Sequence, residues 1–109
     1  KVQKDLDDFK LDMPILGVEE NRITKAIKKK GLEILGGERS NAYKDSVLRS
    51  KTYQDIYREL KRQFGVNTYK AIKRNQCDTA VELISGYTPP YVLAEQIRGC
   101  NAQMNMSVN

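Results

Sequence analysis

Apolar residues recur every three to five positions along most of the chain, which is the spacing of one buried face of an α-helix. The clearest pattern predicts a helix from Ser46 to Phe64, with an apolar stripe at Leu48, Tyr53, Ile56, Tyr57, Leu60 and Phe64. Another helix is predicted from about Glu20 to Leu35, and Gly36-Gly37 ends it because glycine adopts the left-handed cap without strain. No segment alternates as a strand does, so the pattern predicts an all-α fold.

Shorter helices are expected beside glycines, prolines and capping residues. They are a turn within residues 38–46, a short helix after Gly65, a helix at about Gln76 to Ser85, and one from Tyr91 to Ile97 that Gly99 stops. The chain therefore reads as one compact domain of five or six short to medium helices.

The ends of the chain differ from its middle. Val2, Leu6 and Phe9 share one helical face, and Pro14 disfavours helix at the residue before it. Residues 1–19 are interpreted as a linker or the end of a connecting helix, and, because the chain begins at Lys1 rather than Met, we expect a further N-terminal region before it. Residues 20–97 are predicted to form the helical domain, and 98–109 a flexible tail.

Composition argues against most catalytic chemistry. The 109 residues are 39% hydrophobic and 30% charged, a balance typical of one globular domain, and no apolar run is long enough for a membrane helix. There is no histidine and no glycine-rich phosphate motif. The two cysteines, Cys77 and Cys100, could form a disulfide, but we expect reduced thiols in a cytosolic chain. We expect no enzyme activity, catalytic residue, metal, cofactor or small-molecule substrate.

Charge is concentrated in the middle of the chain. Residues 21–74 hold fifteen Lys and Arg against five acidic residues, a net charge of +10. Residues 1–20 hold three Lys and six acidic residues, and residues 75–109 hold one Arg and three acidic residues. A basic segment of this kind suits a polyanion or an acidic protein partner, although solvated helix faces produce the same composition.

One segment resembles a helix-turn-helix. Residues 57–76 comprise the end of a helix, a Phe-Gly-Val turn and a short polar segment, and such a second helix can enter the major groove of DNA. Lys61 and Ala71 do not match the residue types that the motif requires. The alternative is a tight helical corner with solvated lysines. The candidate nucleic-acid contacts are Arg58, Arg62, Lys70, Lys73 and Arg74.

Tyrosine is the dominant aromatic residue, with six Tyr, two Phe and no Trp. Tyr53 and Tyr57 lie on the apolar stripe of a predicted helix and are interpreted as structural. Tyrosines near helix breaks suit interfaces, because one end of the side chain is apolar and the other is polar. The candidate partner-binding residues are Tyr43, Tyr69 and Tyr91.

Residues 20–86 also resemble the C-terminal domain of phage and prophage antirepressors, the type named after an "ORF six". Three motifs carry the likeness in order: Leu35-Gly36-Gly37 followed by Ser40-x-Ala42-Tyr43-Lys44; Ile56-Tyr57 leading into Leu60-Lys61-x-x-Phe64-Gly65-Val66; and Tyr69-x-x-Ile72 followed by Ala80 and Ile84. The segment before this domain is similar as well, with less distinctive residues.

The resemblance implies a helical module behind an N-terminal DNA-binding or Bro-type domain, acting in the lysis-lysogeny switch in the cytoplasm of the bacterial host. It implies binding to a phage repressor, or self-association of the antirepressor, with relief of transcriptional repression. A DNA-binding module of a phage regulator and a spacer without a partner remain as alternatives. The resemblance identifies no contact residues.

Overall fold

A computed structural model describes residues 13–103. This part of the chain folds into five α-helices and has no β-strand, as predicted: α1 (Gly17–Leu35), α2 (Asn41–Lys44), α3 (Ser46–Phe64), α4 (Cys77–Ser85) and α5 (Tyr91–Ala102). The expected helical face at Val2, Leu6 and Phe9 and the last residues of the expected tail lie outside the described residues. No helix within residues 13–103 is long and apolar enough to cross a membrane.

Helix α1 begins three residues before the predicted start. The Glu19 carboxylate accepts a hydrogen bond of 2.8 Å from the Leu16 backbone N–H, so it turns back over the helix entrance. At the other end Gly36 has a φ of 104° and donates its N–H to carbonyls of the last turn, which confirms the predicted glycine stop.

Helix α3 has the bounds that its sequence pattern predicts. The Asp45 carboxylate accepts hydrogen bonds of 3.1 Å from the N–H groups of Val47 and Leu48, which satisfies donors that the first turn leaves free. Thr52 is fully buried, and its hydroxyl donates to the Leu48 carbonyl one turn earlier at 2.9 Å. A buried polar side chain therefore lies on the inner face without an unsatisfied donor.

The core has two parts. In the larger one, α1 packs against α3 and α4 around Ile23, Ile27, Ile56, Leu60, Ala80 and Ile84. In the smaller one, α2 and α5 close the end of α1 through Leu35, Ala42, Leu93 and Ile97. Cys77 is buried in the larger part and Cys100 packs against the smaller one, so the two thiols are free.

The expected stop at Gly99 is wrong, because α5 continues through it to Ala102. Glycine in a helix interior costs about 1 kcal/mol relative to alanine. Here Asn101 offsets that cost: its side chain donates to the Leu35 carbonyl at 2.9 Å and accepts from the Ala42 N–H at 2.8 Å. The last turn of α5 is thereby fixed to the end of α1 and the start of α2.

The segment after α3 is not the second helix of a helix-turn-helix. It forms two single 3-10 turns, Tyr69–Ala71 and Arg74–Gln76, separated by extended residues. Ile72 has extended backbone angles and is fully buried, and its carbonyl accepts a 2.9 Å hydrogen bond from the Ile15 N–H. Burial of Ile72 therefore interrupts the helix, and no α-helix lies between Gly65 and Gln76 to enter a DNA groove.

Candidate functional site

Two of the five candidate DNA contacts are paired within α3. The Arg58 guanidinium lies 3.2 Å from the Asp55 carboxylate, and Arg62 forms two hydrogen bonds with Glu59, of 2.6 and 3.1 Å. The guanidinium and a hydrogen bond from Gln63 hold the pKa of Glu59 below its usual value. Both arginines thus already have a carboxylate partner one helical turn away.

Two more candidates pair with the start of α1. The Lys70 ammonium lies 3.8 Å from Glu20, and the Arg74 Nε lies 3.3 Å from Glu19. The hydrogen bond from the Leu16 N–H and the positive charge of Arg74 hold the pKa of Glu19 below its usual value. These cations anchor the segment after α3 to α1.

The fifth candidate, Lys73, is exposed, and its backbone N–H donates to the Gln76 side chain. The described residues contain no carboxylate paired with it. The five cations therefore do not act together as one free basic patch.

The tyrosines are arranged differently. Tyr43, Tyr53, Tyr57 and Tyr69 follow one another along the side of α3 that faces α1, and the Tyr57 and Tyr69 ring centres lie 5.4 Å apart. Burial, followed by neighbouring phenols, raises the pKa of Tyr53 and of Tyr57. The structure thus places Tyr43 and Tyr69, two of the predicted partner-binding residues, at the two ends of one tyrosine row.

A groove of about 500 Å³ lies between α1 and α3 along the first three tyrosines of this row, and Tyr69 is not part of its lining. We call it the tyrosine groove; its lining includes Lys28, Lys29, Tyr43, Arg49, Tyr53 and Tyr57. Helix α1 supplies the two lysines, and α3 supplies Arg49 and the two central tyrosines. Tyr53 and Tyr57, which the sequence pattern places on the apolar stripe, are partly buried against the core and also form the floor between the helices.

A glycine in α1 makes room for this floor. Gly31 is buried, and a Cβ at this position would lie 2.4 Å from the Tyr53 Cε1. The Tyr53 hydroxyl lies 3.5 Å from the Lys28 carbonyl, so the ring reaches across α1 at the point where a side chain is absent. The only sequence signal for this contact is a glycine directly after the helical lysine run, which the apolar pattern does not mark.

The cations of the tyrosine groove are not neutralised. Lys28, Lys29 and Arg49 form no ion pair with any carboxylate between residues 13 and 103. Arg49 instead donates to the Tyr43 carbonyl at 2.6 Å, and its guanidinium lies 5.2 Å from the centre of the Tyr43 ring. Glu38 is the one carboxylate in the groove lining. The groove therefore has a positive rim over an aromatic floor.

A second groove, of about 440 Å³, has the opposite charge. It lies between α3, α4 and the residues before α5, and its lining includes Asp55, Glu59, Leu83, Tyr87 and Pro90. The buried Tyr87 hydroxyl donates to the Asp55 carboxylate, and burial together with this bond raises the pKa of Tyr87. Its two carboxylates are occupied by the α3 arginines and by Tyr87.

Tyr91, the third predicted partner-binding residue, is not in the tyrosine groove. It begins α5 directly after Pro90 and is 78% exposed, and the neighbouring Val92 is 66% exposed. Two adjacent exposed apolar side chains at a helix start make a small contact patch. The structure thus divides the predicted tyrosines between two surfaces.

Comparison with known proteins gives a family. The model of the ORF6C domain matches residues 1–97, so the chain belongs to the ORF6C domain family, a phage-associated domain. This confirms the resemblance drawn from the Leu35-Gly36-Gly37 and Phe64-Gly65-Val66 motifs. Neither the curated proteins nor the solved structures contain a match.

Proposed function

We propose that this ORF6C domain is a non-catalytic protein-interaction module of a phage antirepressor that binds a phage repressor and relieves transcriptional repression in the lysis-lysogeny switch, in the cytoplasm of the bacterial host. The observation that carries the proposal is the tyrosine groove. Tyrosine and arginine are the residue types over-represented at the energetic centres of protein interfaces, and here they line one concave surface.

Self-association of antirepressor subunits is a second form of the same proposal. Tyr91 and Val92 form an exposed apolar pair at the start of α5. A pair of this size adds to an interface but is too small to be one alone, since stable interfaces bury roughly 800 Å² on each partner. Self-association would therefore require α5 to contact a second copy over a wider area.

Direct DNA binding is the alternative, and its support is the net charge of +10 over residues 21–74. The pairing of Arg58, Arg62, Lys70 and Arg74 with carboxylates argues against it. A cation that already has a partner must lose that partner before it neutralises a phosphate. The absence of an α-helix between Gly65 and Gln76 argues in the same direction.

Calorimetry and sedimentation test the proposal. The 109-residue chain is titrated with the purified repressor of the same phage genome, and its own mass is measured by sedimentation over the same concentrations. We expect a saturable complex with the repressor at micromolar concentration, or a defined oligomer of the chain. If the chain forms no complex with the repressor and no oligomer, the proposal is overturned. A salt-sensitive shift of operator DNA by the chain alone would favour the DNA-binding alternative.

A further inference from the structure

Three cations of α1 and α3 that have no carboxylate partner among the described residues line one concave surface. Lys28 and Lys29 are exposed on α1, and Arg49 faces them from α3 across the tyrosine floor. By contrast, Lys30, the next residue of the same lysine run, is largely buried and bonded to Glu33 and to the Ser85 carbonyl. The run therefore has two parts, one that holds α1 against α4 and one that is free for a partner.

We infer that the tyrosine groove binds an acidic segment of the partner protein, a peptide stretch in which Asp or Glu side chains flank apolar ones. This inference rests on the proposed function and adds the surface and the chemistry of the segment it binds. Carboxylates would pair with Lys28, Lys29 and Arg49, and the apolar side chains would contact the tyrosine floor. Such pairing supplies orientation and association rate together with affinity.

The ring packing favours a peptide over a single-stranded nucleic acid. Bases bind by stacking on free aromatic faces. In this groove Tyr43 already lies against the Arg49 guanidinium, Tyr53 packs on Gly31, and Tyr57 packs against Tyr69. Each of the three rings thus already packs against another group of the chain, whereas carboxylates need only the cations at the rim.

The charge of the groove also selects where on a repressor it binds. A DNA-contacting surface is basic because it neutralises phosphates, so it would be repelled by Lys28, Lys29 and Arg49. The acidic segment must lie elsewhere on the repressor. The domain would then relieve repression by binding away from the DNA-contacting surface.

Nuclear magnetic resonance mapping tests the site directly. The chain is titrated with a short synthetic peptide of Asp and Glu interspersed with Leu and Phe, and separately with an oligothymidylate of matching length. We expect saturable shifts from the peptide at backbone amides of residues 28–32 and 49–57. Shifts that are absent or spread over the whole basic surface would overturn the inference, as would tighter binding of the oligothymidylate in the groove.

A pair of charge-reversal variants separates the groove from net charge. Lys28→Glu/Lys29→Glu reverses the two α1 cations that line the groove, and Lys51→Glu/Lys73→Glu makes the same change in net charge at exposed lysines outside the groove lining. We expect the groove variant to weaken peptide and repressor binding by about tenfold or more, and the control by less than about twofold. Equal weakening by both variants would overturn the inference.

The two proposals fail in different ways. If the repressor binds the chain and the groove variant with the same affinity, the groove inference is wrong and the protein-interaction function stands. If the repressor does not bind while the peptide still maps to residues 28–32 and 49–57, the choice of repressor as partner is wrong and the groove inference stands.

Discussion

Tyr53 packs on Gly31 so closely that a Cβ at residue 31 would lie 2.4 Å from the Tyr53 ring. The two residues belong to the two longest helices, and their contact lies beneath the tyrosine groove. It determines how near α1 and α3 approach and where the central tyrosine of the row lies. The strength of this contact can be measured with a Gly31→Ala substitution. Alanine has the higher helix propensity, whereas its methyl group would clash with the Tyr53 ring, so the two effects on stability have opposite signs.

We expect Gly31→Ala to lower the free energy of unfolding by about 1 kcal/mol. Overpacking a helix interface costs about 1 to 3 kcal/mol, and the higher helix propensity of alanine returns about 1 kcal/mol of that. In the Tyr53→Ala background the clash is absent, so the same substitution should stabilise the chain by up to about 1 kcal/mol. Denaturant unfolding of the parent chain, the two single variants and the double variant gives the coupling energy between the two residues. If Gly31→Ala changes the stability in the same direction in both backgrounds, the close contact is contradicted.

Asn101→Ala should destabilise the chain by about 1 to 3 kcal/mol, because the Leu35 carbonyl and the Ala42 N–H would both lose their partner. Gln103→Ala is the control, since Gln103 is exposed at the end of α5 and only its backbone N–H is bonded. Thermal unfolding of both variants checks the prediction. Equal melting temperatures for the two would show that Asn101 does not hold α5 in place.

Asp45→Ala should cost about 1 kcal/mol of stability, because the first turn of α3 loses the acceptor for two backbone N–H groups. Asp45→Asn keeps a side-chain oxygen at the same position and should retain most of the stability. Chemical denaturation of the two variants and the parent chain measures the difference. A loss of equal size in both variants would assign the effect to the charge of Asp45 instead of its capping bond.

The Tyr87–Asp55 hydrogen bond predicts a stability loss in base. Burial and the Asp55 carboxylate raise the pKa of Tyr87 above the usual value of about 10, so the protonated phenol is favoured in the folded state. The stability that this bond contributes is present below about pH 10 and is lost as the pH rises through the folded-state pKa. The stability difference between the parent chain and Tyr87→Phe should shrink over this range, and urea unfolding at a series of alkaline pH values measures it. A stability difference that stays constant as the pH rises would contradict the prediction.

Periodicity predicts the parts of the fold that depend on local chain properties. Ser46 and Phe64 are the predicted and observed ends of α3, and Gly36 ends α1 as its backbone freedom allows. The failures depend on distant contacts. Gly99 does not end α5, because Asn101 bonds to residues more than fifty positions away. Ile72 breaks the expected second helix because it is buried beside Ile15.

The candidate site could be predicted only in part for the same reason. The sequence indicates Tyr69 by its position near a helix break and Tyr43 by its position in a loop, but the row that joins them exists only once α1 and α3 are packed together. The sequence presents Lys28, Lys29 and Lys30 as one run, and only the fold separates the bonded Lys30 from the other two. Charge alone therefore indicates the α3 arginines as contact residues, although the fold pairs both of them with carboxylates of the same helix.

The most direct test of the account measures what this chain does to a repressor bound to its operator DNA. In a mobility-shift experiment with the repressor of the same phage genome, we expect the operator DNA to be released from the repressor as the concentration of the chain rises. The chain alone should not shift the operator. The Lys28→Glu/Lys29→Glu variant should release it poorly, and Lys51→Glu/Lys73→Glu should act as the parent chain does. A repressor–operator complex that persists while the chain shifts free operator at low salt would contradict the account.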